Sequence, residues 1–563
     1  MLCYTISENI QYDLMRKKES KSSNFIVQGG ILAVAGIISR IIGLLYRIPL
    51  QKTIGDSGMG YYSAAFQIYS IMLIISSYSL PVAVSKLMAA RLARGQYKNA
   101  GKLFQVSLLF ACITGGATML IVLFGADVMA CNIMSLPRSA IALRVLAPTL
   151  LVVALMGVMR GYFQGTGTML PTANSQLVEQ IVNAIVSVGA AVFLFNYGTR
   201  VSALLREDTY AAAYGAAGGT FGTLAGAVAG LLLLIVIFFV QRRELRKMIR
   251  EDDSPRVESF GKVFRLLLIT VMPVILGSTI YNISDVLDQS IFGNVMAGKG
   301  MSESMIAANW GILSTKYKVI INVPVALANA LCSSMMPSLT ASIAQGDLKV
   351  ARRKIRIGMR FVMIIAIPCA VGLAILGEPV LSMMFSGEIK MAAMLLRMGS
   401  ISVVFYSMST LTNGVLQGVD RMNVPVRNSA IALVVHLGVL YLLIGVLDLK
   451  LYGVVISIIV FSLLVSILNW IDIRRNTGYR QEIFRTFIVP FLASLIMGLV
   501  IGIEYIILKK FIRYEVATII AVLTGVVVYF VSLLLLKGVR ESEIRSFPGG
   551  NMMAAIARFF HLI

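Results

Sequence analysis

Most charged residues of this chain stand at the ends of apolar runs, and only a few lie inside them. In the segment 25–48, Gly29, Ala33, Gly36, Arg40, Gly43 and Arg47 step by four, three, four, three and four residues, which keeps them on one face of an α-helix. Ile37, Ile41, Leu44 and Leu45 fill the other faces. The stripe is small and cationic, and glycine beside arginine leaves room for the guanidinium and for a ligand. Arginine presents a planar fork of donors that matches phosphate. The chemistry expected is therefore recognition of an anion, a diphosphate above all, rather than bond making. Arg47, nearer the end of the segment, also suits snorkelling to the outer interface. Arg144 and Arg397 are two further arginines inside apolar segments; they suit either a basic lining or interhelical bonding. Lys316 and Lys318 flank Tyr317 after Trp310 and read as interfacial lysines within reach of an anionic headgroup.

Acids accompany these cations. Thr172, Gln176, Glu179, Asn183 and Ser187 share one face of the segment 172–196, and Ser278, Tyr281, Asn282, Asp285, Asp288 and Gln289 punctuate the segment 263–291. Asp285 and Asp288 are three apart and share a side. Acids inside a membrane act as counter-ions or as ligands of a coupling cation, so Glu179, Asp285 and Asp288 are expected to balance the arginines or to meet Na+ or H+. The two histidines, His436 and His561, are isolated, and none of the five cysteines forms a CxxC pair. No metal centre, disulfide framework or bound cofactor is expected.

The elements that must position these residues follow from composition. Of 563 residues 58% are hydrophobic and 14% charged, with a mean hydropathy of +0.83, far from the roughly 25% charged residues of a soluble domain. This excludes a soluble enzyme, a disordered chain and a secreted disulfide scaffold. A membrane-spanning helix needs about 20 apolar residues. Apolar runs place fourteen spans near 25–48, 61–83, 103–126, 139–160, 172–196, 212–240, 263–291, 313–340, 360–385, 392–417, 428–447, 451–470, 484–508 and 516–536. The net charge is +23, yet it does not call for nucleic acid. About 34 of the 50 Lys and Arg fall in the tails and in the loops after even-numbered spans, against about 13 on the opposite side, an asymmetry that places both termini in the cytoplasm. Residues 1–24 read as a cytoplasmic tail without a secretory signal, with Met15 before Arg16-Lys17-Lys18 as an alternative start. Residues 551–563 are too short to span and read as an interfacial amphipathic helix.

Two passages echo each other. Leu143-Arg144, Gly161-Tyr162-Phe163-Gln164-Gly165, Pro171 and Asn174-Ser175 match Leu396-Arg397, Gly414-Val415-Leu416-Gln417-Gly418, Pro425 and Asn428-Ser429. The offset is 253 residues up to the Gln-Gly pair (Gln164 to Gln417) and 254 beyond it (Pro171 to Pro425). Ala93 to Ala100 matches Ala344 to Ala351 at an offset of 251 (Gly95 to Gly346). Because the echo keeps chain order over an even number of spans, the halves are parallel repeats. The expected organisation is a tail over 1–24, a first lobe over 25–240, a basic linker over 241–262, a second lobe over 263–470, two extra helices over 484–536 and a tail over 537–563. In repeat-built transporters the substrate site lies between the halves.

These residues carry a resemblance. Ser39-Arg40-Ile41-Ile42-Gly43-Leu44-Leu45-Tyr46-Arg47-Ile48-Pro49-Leu50, Gly55, Gly58, Gly60-Tyr61-Tyr62, Leu80 to Lys86, the two Gln-Gly turns, Asn322-Val323-Pro324 and Pro337 are similar to the polysaccharide biosynthesis branch of the multidrug/oligosaccharidyl-lipid/polysaccharide exporter superfamily. The similarity covers roughly residues 20–540 and resembles most the stage V sporulation protein B group and related lipid II flippases. It implies two six-helix lobes forming a V, alternating access and export of an undecaprenyl-diphosphate-linked sugar. Those flippases carry S-R-x-x-G-x-x-R in the first span, both arginines facing the cavity. Arg40 matches the first; Arg47 matches the second with one extra residue between them. Some of them bind sodium through acids and amides of spans 7, 11 and 12. Asp285 answers the span 7 part, but span 11 holds His436 and no carboxylate, which puts a sodium site in doubt. Their last two helices form a groove for the lipid tail, and spans 13 and 14 are expected to do likewise.

The expectation is thus an all-α polytopic membrane protein of about 14 transmembrane helices, two parallel six-helix lobes plus two C-terminal helices. It is expected to be a flippase for a lipid-linked oligosaccharide, peptidoglycan precursor lipid II first, in the bacterial plasma membrane. Arg40, Arg47, Arg144, Arg397 and Lys316 would bind substrate. A coupling cation or the membrane potential would drive the return. Membrane lipids and the cell-wall synthesis machinery are the expected partners of a monomer. The rivals are flipping of another lipid-linked polysaccharide unit, export of small molecules or drugs, a transport-dead scaffold, and a membrane enzyme. The last lacks a DxD pair or a supported histidine.

Overall fold

The computed structural model describes residues 21–250, 252 and 257–539. Met15 and the segment 551–563 lie outside these. Among the described residues the chain is helical and contains no strand, as the bilayer demands of a segment that must satisfy its own backbone groups. Among the described residues ten helices are long and apolar enough to cross a membrane, and a bent pair makes an eleventh, below the expected fourteen. Helices also occupy the three remaining expected segments, Lys21–Leu45, Phe260–Gly298 and Lys318–Ala344. Large apolar side chains face outward, such as Phe193 (73% exposed), Leu499 (68%) and Leu523 (63%), which a water-solvated surface would not tolerate in such number.

The chain divides into two compact units. The first comprises residues up to Thr53, Ala65–Ala130 and Pro137–Thr279; the second comprises Ile54–Ala64, Cys131–Leu136 and the chain from Ile280 on. The first unit is built from α1 (Lys21–Leu45), most of α2 (Arg47–Leu73), α3 (Leu80–Leu92), α4 (Tyr97–Val128), α5 (Ser139–Gly165), α6 (Leu170–Leu205) and α7 (Thr209–Arg250). Its core gathers Leu80, Val84, Leu103, Phe110, Phe163 and Leu234. The passage after α7 is fastened to the same unit: Arg91 bonds Glu258 at 2.5 Å and the amide of Lys98 donates to Asp252 at 2.6 Å.

α6 and α7 pack through a ladder of glycines. Gly218, Gly222, Gly226 and Gly230 recur every four residues on α7, and a Cβ at each would meet Ala190, Ser187, Glu179 or Ser175 within 2.1–3.2 Å. Small residues at this spacing let helix backbones meet where lipid offers no hydrophobic drive. At Gly222 the nearest atoms are the Ser187 Oγ at 2.1 Å and the Ser187 N at 2.4 Å. Gly222→Ala is expected to destabilise by about 1–3 kcal/mol through overpacking, whereas Gly189→Ala, whose Cβ meets nothing within 4 Å, should be neutral or stabilising. Heating the detergent-solubilised variants and following the monodisperse fraction by size exclusion compares them. Equal melting of the two would refute the close packing.

The second unit holds the rest of α8 (Phe260–Gly298), then α9 (Glu303–Gly311), a π-helical turn at Ile312–Tyr317, α10 (Lys318–Ala344), α11 (Leu348–Met384), α12 (Ile389–Gly399), α13 (Ser402–Gly418), α14 (Asn423–Tyr441), α15 (Lys450–Thr477), α16 (Val489–Leu508) and α17 (Tyr514–Leu535). A π-helical turn over Leu442–Val446 ends α14, and α15 starts at Lys450, so the two helices form a tight hairpin. Lys299, at the end of α8, donates to the Ile444 carbonyl at 2.7 Å and to Asp448 at 2.8 Å, and this bond holds the Asp448 carboxyl below the usual carboxylate range.

The segment 392–417, expected as one span, is broken into α12 and α13 at an angle of 52°. The cause is a side chain from elsewhere in the sequence. Tyr317 is buried beside Gly399, where a Cβ would strike its ring at 2.4 Å, and its hydroxyl donates to the Gly399 carbonyl at 3.3 Å. An inserted side chain that takes a helical carbonyl is a recognised source of a kink. The repeat-related α5 carries Pro148 and runs unbroken.

Candidate functional site

Arg40 sits in α1 with its side chain exposed. Among the described residues it makes no ion pair. A Cβ at Gly36 would meet nothing within 4 Å, and one at Gly43 would meet only the Gln180 Oε1 at 3.7 Å. The small stripe therefore leaves open space on one side of Arg40 and rests against α6 on the other. A charge within a membrane span costs about 2.5–3.5 kcal/mol on insertion scales. Arg47 opens α2, two residues past the end of α1, and is half-buried.

The polar face of α6 is turned into its own unit. Glu179 accepts from Arg160 of α5 at 2.7 Å, and Arg160 also donates to Ser175 at 2.9 Å. Ser187 donates to Asn183 at 2.9 Å and to the Gly219 carbonyl at 2.8 Å. Glu179 is thus the counter-ion of Arg160. Arg160 escaped the sequence reading because its partner is 19 residues away, off any helical spacing; its repeat-related position, Asn413 at the offset of 253, was the available signal. Asn413 likewise anchors a polar cluster, accepting from Asn469 at 2.7 Å.

Arg144 and Arg397, equivalent by repeat, are engaged differently. Arg144 pairs with Asp127 of α4, both exposed. Arg397 ends α12 and reaches the Ala374 carbonyl at 3.4 Å.

Lys316 is wholly buried. Its ammonium lies 2.8 Å from Asp56, which is itself nearly buried, and 3.4 Å from the Glu388 carbonyl. Asp56 accepts in addition from the Glu388 amide at 3.1 Å. The backbone prepares this clamp. Gly55, at φ +70°, breaks α2 and sets off Ile54–Ala64. Gly60 and Gly311 then cross so closely that a Cβ on either would fall 1.9 Å from a carbonyl of the other helix. The left-handed φ at Gly55 is one that glycine adopts without penalty.

Asp285 and Asp288 do share a side of α8, and the structure gives each a basic partner. Lys318 donates to Asp285 at 2.6 Å and lies 5.4 Å from the Trp310 ring centre. His436 of α14, which the sequence reading left isolated, meets Asp288 at 2.5 Å, with both side chains almost fully buried. The three acids are engaged by Arg160, Lys318 and His436 rather than by the arginines of the cationic stripe. The imidazole thus takes up one carboxylate oxygen of Asp288.

A family model described as polysaccharide biosynthesis protein matches residues 27–342, and one described as MatE matches residues 273–442. The chain is 26% identical over 524 residues to the lipid II flippase MurJ of Bacillus subtilis (strain 168), covering 89% of this chain and 93% of that protein. It is 24% identical over 526 residues to stage V sporulation protein B of the same organism, covering 92% and 96%. Among solved structures, the lipid II flippase MurJ in an inward closed conformation aligns with a TM-score of 0.65 at 15% identity, over 89% of this chain and 97% of that one. An inward-facing multidrug resistance MATE family transporter of the MOP superfamily aligns with a TM-score of 0.63 at 16% identity, over 78% and 94%. At such identities these structures speak for the fold. MurJ and the MATE protein are named as a flippase and a transporter, not as enzymes.

Proposed function

The chain belongs to the polysaccharide biosynthesis protein family, and on that premise we propose that it is a flippase that carries an undecaprenyl-diphosphate-linked saccharide, lipid II first, from the inner to the outer leaflet by alternating access. The observation that carries this reading is the exposed guanidinium of Arg40 on a stripe of small residues, without an ion-pair partner among the described residues. A diphosphate supplies the two acceptors such a fork prefers. The polyprenyl tail stays in lipid while the diphosphate and sugars cross. Arg47 follows Arg40 along the path, and Arg144 and Arg397, one salt-bridged at the surface and one on a carbonyl, meet the substrate only in passing. Lys316 serves the fold. The protein works as a monomer of the bacterial plasma membrane, termini in the cytoplasm, beside the machinery that consumes its cargo.

The name of the MurJ relative supports this reading, and the MatE match over residues 273–442 supports the rival of small-molecule export. Reconstitution of the purified chain into vesicles separates them. Fluorescent lipid II placed in one leaflet is expected to reach the other, while a cationic dye on the same vesicles stays put. Dye movement without movement of lipid II or of any other undecaprenyl-linked saccharide would overturn the proposal.

A further inference from the structure

The His436–Asp288 pair carries information that the anion path does not use. The Nδ1 of His436 lies 2.8 Å from the Ser457 carbonyl of α15. A carbonyl oxygen can only accept, so Nδ1 bears a hydrogen. The other ring nitrogen, Nε2, lies 2.5 Å from the Asp288 carboxyl. Two lone pairs cannot meet at that separation, so a second proton lies between them, on nitrogen as imidazolium or on oxygen as carboxylic acid. Either way the pair is neutral and holds one exchangeable proton.

The surroundings decide what its loss would do. The charged groups bearing on His436 are Asp288 on α8 and Lys318 at the head of α10, which is itself paired with Asp285. α15 presents the Ser457 carbonyl and the Phe461 ring, whose centre is 5.5 Å from the imidazole. With the proton in place, Asp285, Asp288, Lys318 and His436 sum to zero. Without it they carry one uncompensated negative charge, in a site of which His436 is 1% and Asp288 3% exposed. A buried charge without a partner is unfavourable in a membrane protein, and the Nε2 lone pair would then face a carboxylate.

We propose that Asp288 and His436 form a proton-binding site that latches α8 to α14, and that release of this proton to water parts the two helices and couples the transport cycle to protons in place of sodium. The step is a simple dissociation: the N–H or O–H bond between the pair breaks, the proton leaves to solvent, and the pair passes from neutral to a single negative charge. The inference rests on the transporter reading for its role in the cycle, but the site itself is tested without transport.

Two measurements on the purified full-length chain do this. With only two histidines in the sequence, ring-15N labelling of a His561→Gln variant leaves one histidine signal. The expected spectrum at pH 7 has Nδ1 protonated and Nε2 in a strong hydrogen bond, and Asp288→Asn shifts the Nε2 resonance. A neutral Nε2–H tautomer, or a spectrum indifferent to Asp288→Asn, would overturn the shared proton. Second, spin labels at Asn294→Cys on α8 and Val434→Cys on α14, with the native cysteines replaced, report the separation of the helices. It is expected to widen along a one-proton titration curve as pH rises, to be unaffected by sodium, and to lose its pH response in His436→Gln. A separation indifferent to pH, or one set by sodium, would overturn the latch. Failure of lipid flipping in vesicles with both results intact would refute the flippase and leave the proton site standing.

Discussion

Arg40→Ala is expected to reduce lipid II movement in reconstituted vesicles by about 10- to 100-fold, with little change in thermal stability. The reasoning combines two observations. The side chain is exposed and makes no ion pair among the described residues, so its removal strands no buried partner and the stability change should stay within about 0.5 kcal/mol. A guanidinium on a diphosphate, by contrast, supplies charge-assisted hydrogen bonds of about 1.5–3 kcal/mol each. Loss of the equivalent of one such bond gives about the stated range, since about 1.4 kcal/mol is a factor of ten. Arg40→Lys should fall between, because it keeps the charge and loses the fork. Arg160→Ala gives the opposite pattern: it leaves Glu179 without its 2.7 Å partner and should lower stability first. Wild-type flipping in Arg40→Ala would end the diphosphate assignment.

Lys316→Met is expected to destabilise the second unit by about 3–5 kcal/mol, the cost of leaving one member of a buried ion pair alone. Lys316 is 0% exposed and Asp56 10%, so water does not readily replace the missing ammonium, and the Glu388 amide at 3.1 Å is a neutral donor. Asp56→Asn should cost a similar amount by stranding the lysine. The double variant Asp56→Asn/Lys316→Met should recover most of the loss, because a buried pair removed as a whole is often nearly neutral. Thermal unfolding of the four proteins in detergent, followed by far-UV circular dichroism, completes the cycle. Additive losses in the double variant would show that the two residues are not coupled.

The fate of the charged residues shows what could be read ahead of the structure. The stripe from Gly29 to Gly43 was legible because those positions lie within α1, where spacing alone assigns a face; Arg47 falls beyond it, at the start of α2. Asp285 and Asp288 were legible as neighbours for the same reason. Their partners were not: Lys318 is 33 residues from Asp285, His436 is 148 from Asp288 and Lys316 is 260 from Asp56. Helical periodicity says nothing at those separations, so Lys316 read as a ligand and His436 as isolated. The bend between α12 and α13 escaped for a related reason. Its local sequence is an ordinary apolar run, and the residue that breaks it, Tyr317, is 82 positions upstream of Gly399. The glycine ladder of α7 stood in the sequence as a repeat of four, but the face of α6 it meets did not.

The apolar runs by themselves determined that this chain is a helical membrane protein with an internal repeat and a cationic stripe in its first helix. In lipid each segment must satisfy its own backbone groups, so composition within about 20 residues decides the element. Only the tertiary structure decided which charges are spent and which are free to act. Compensation of a charge in a low-dielectric interior depends on what lies within a few ångströms, whatever the distance along the chain. By that criterion Glu179, Asp285, Asp288 and Lys316 are engaged inside their own units, and Arg40 stays exposed without an ion pair among the described residues.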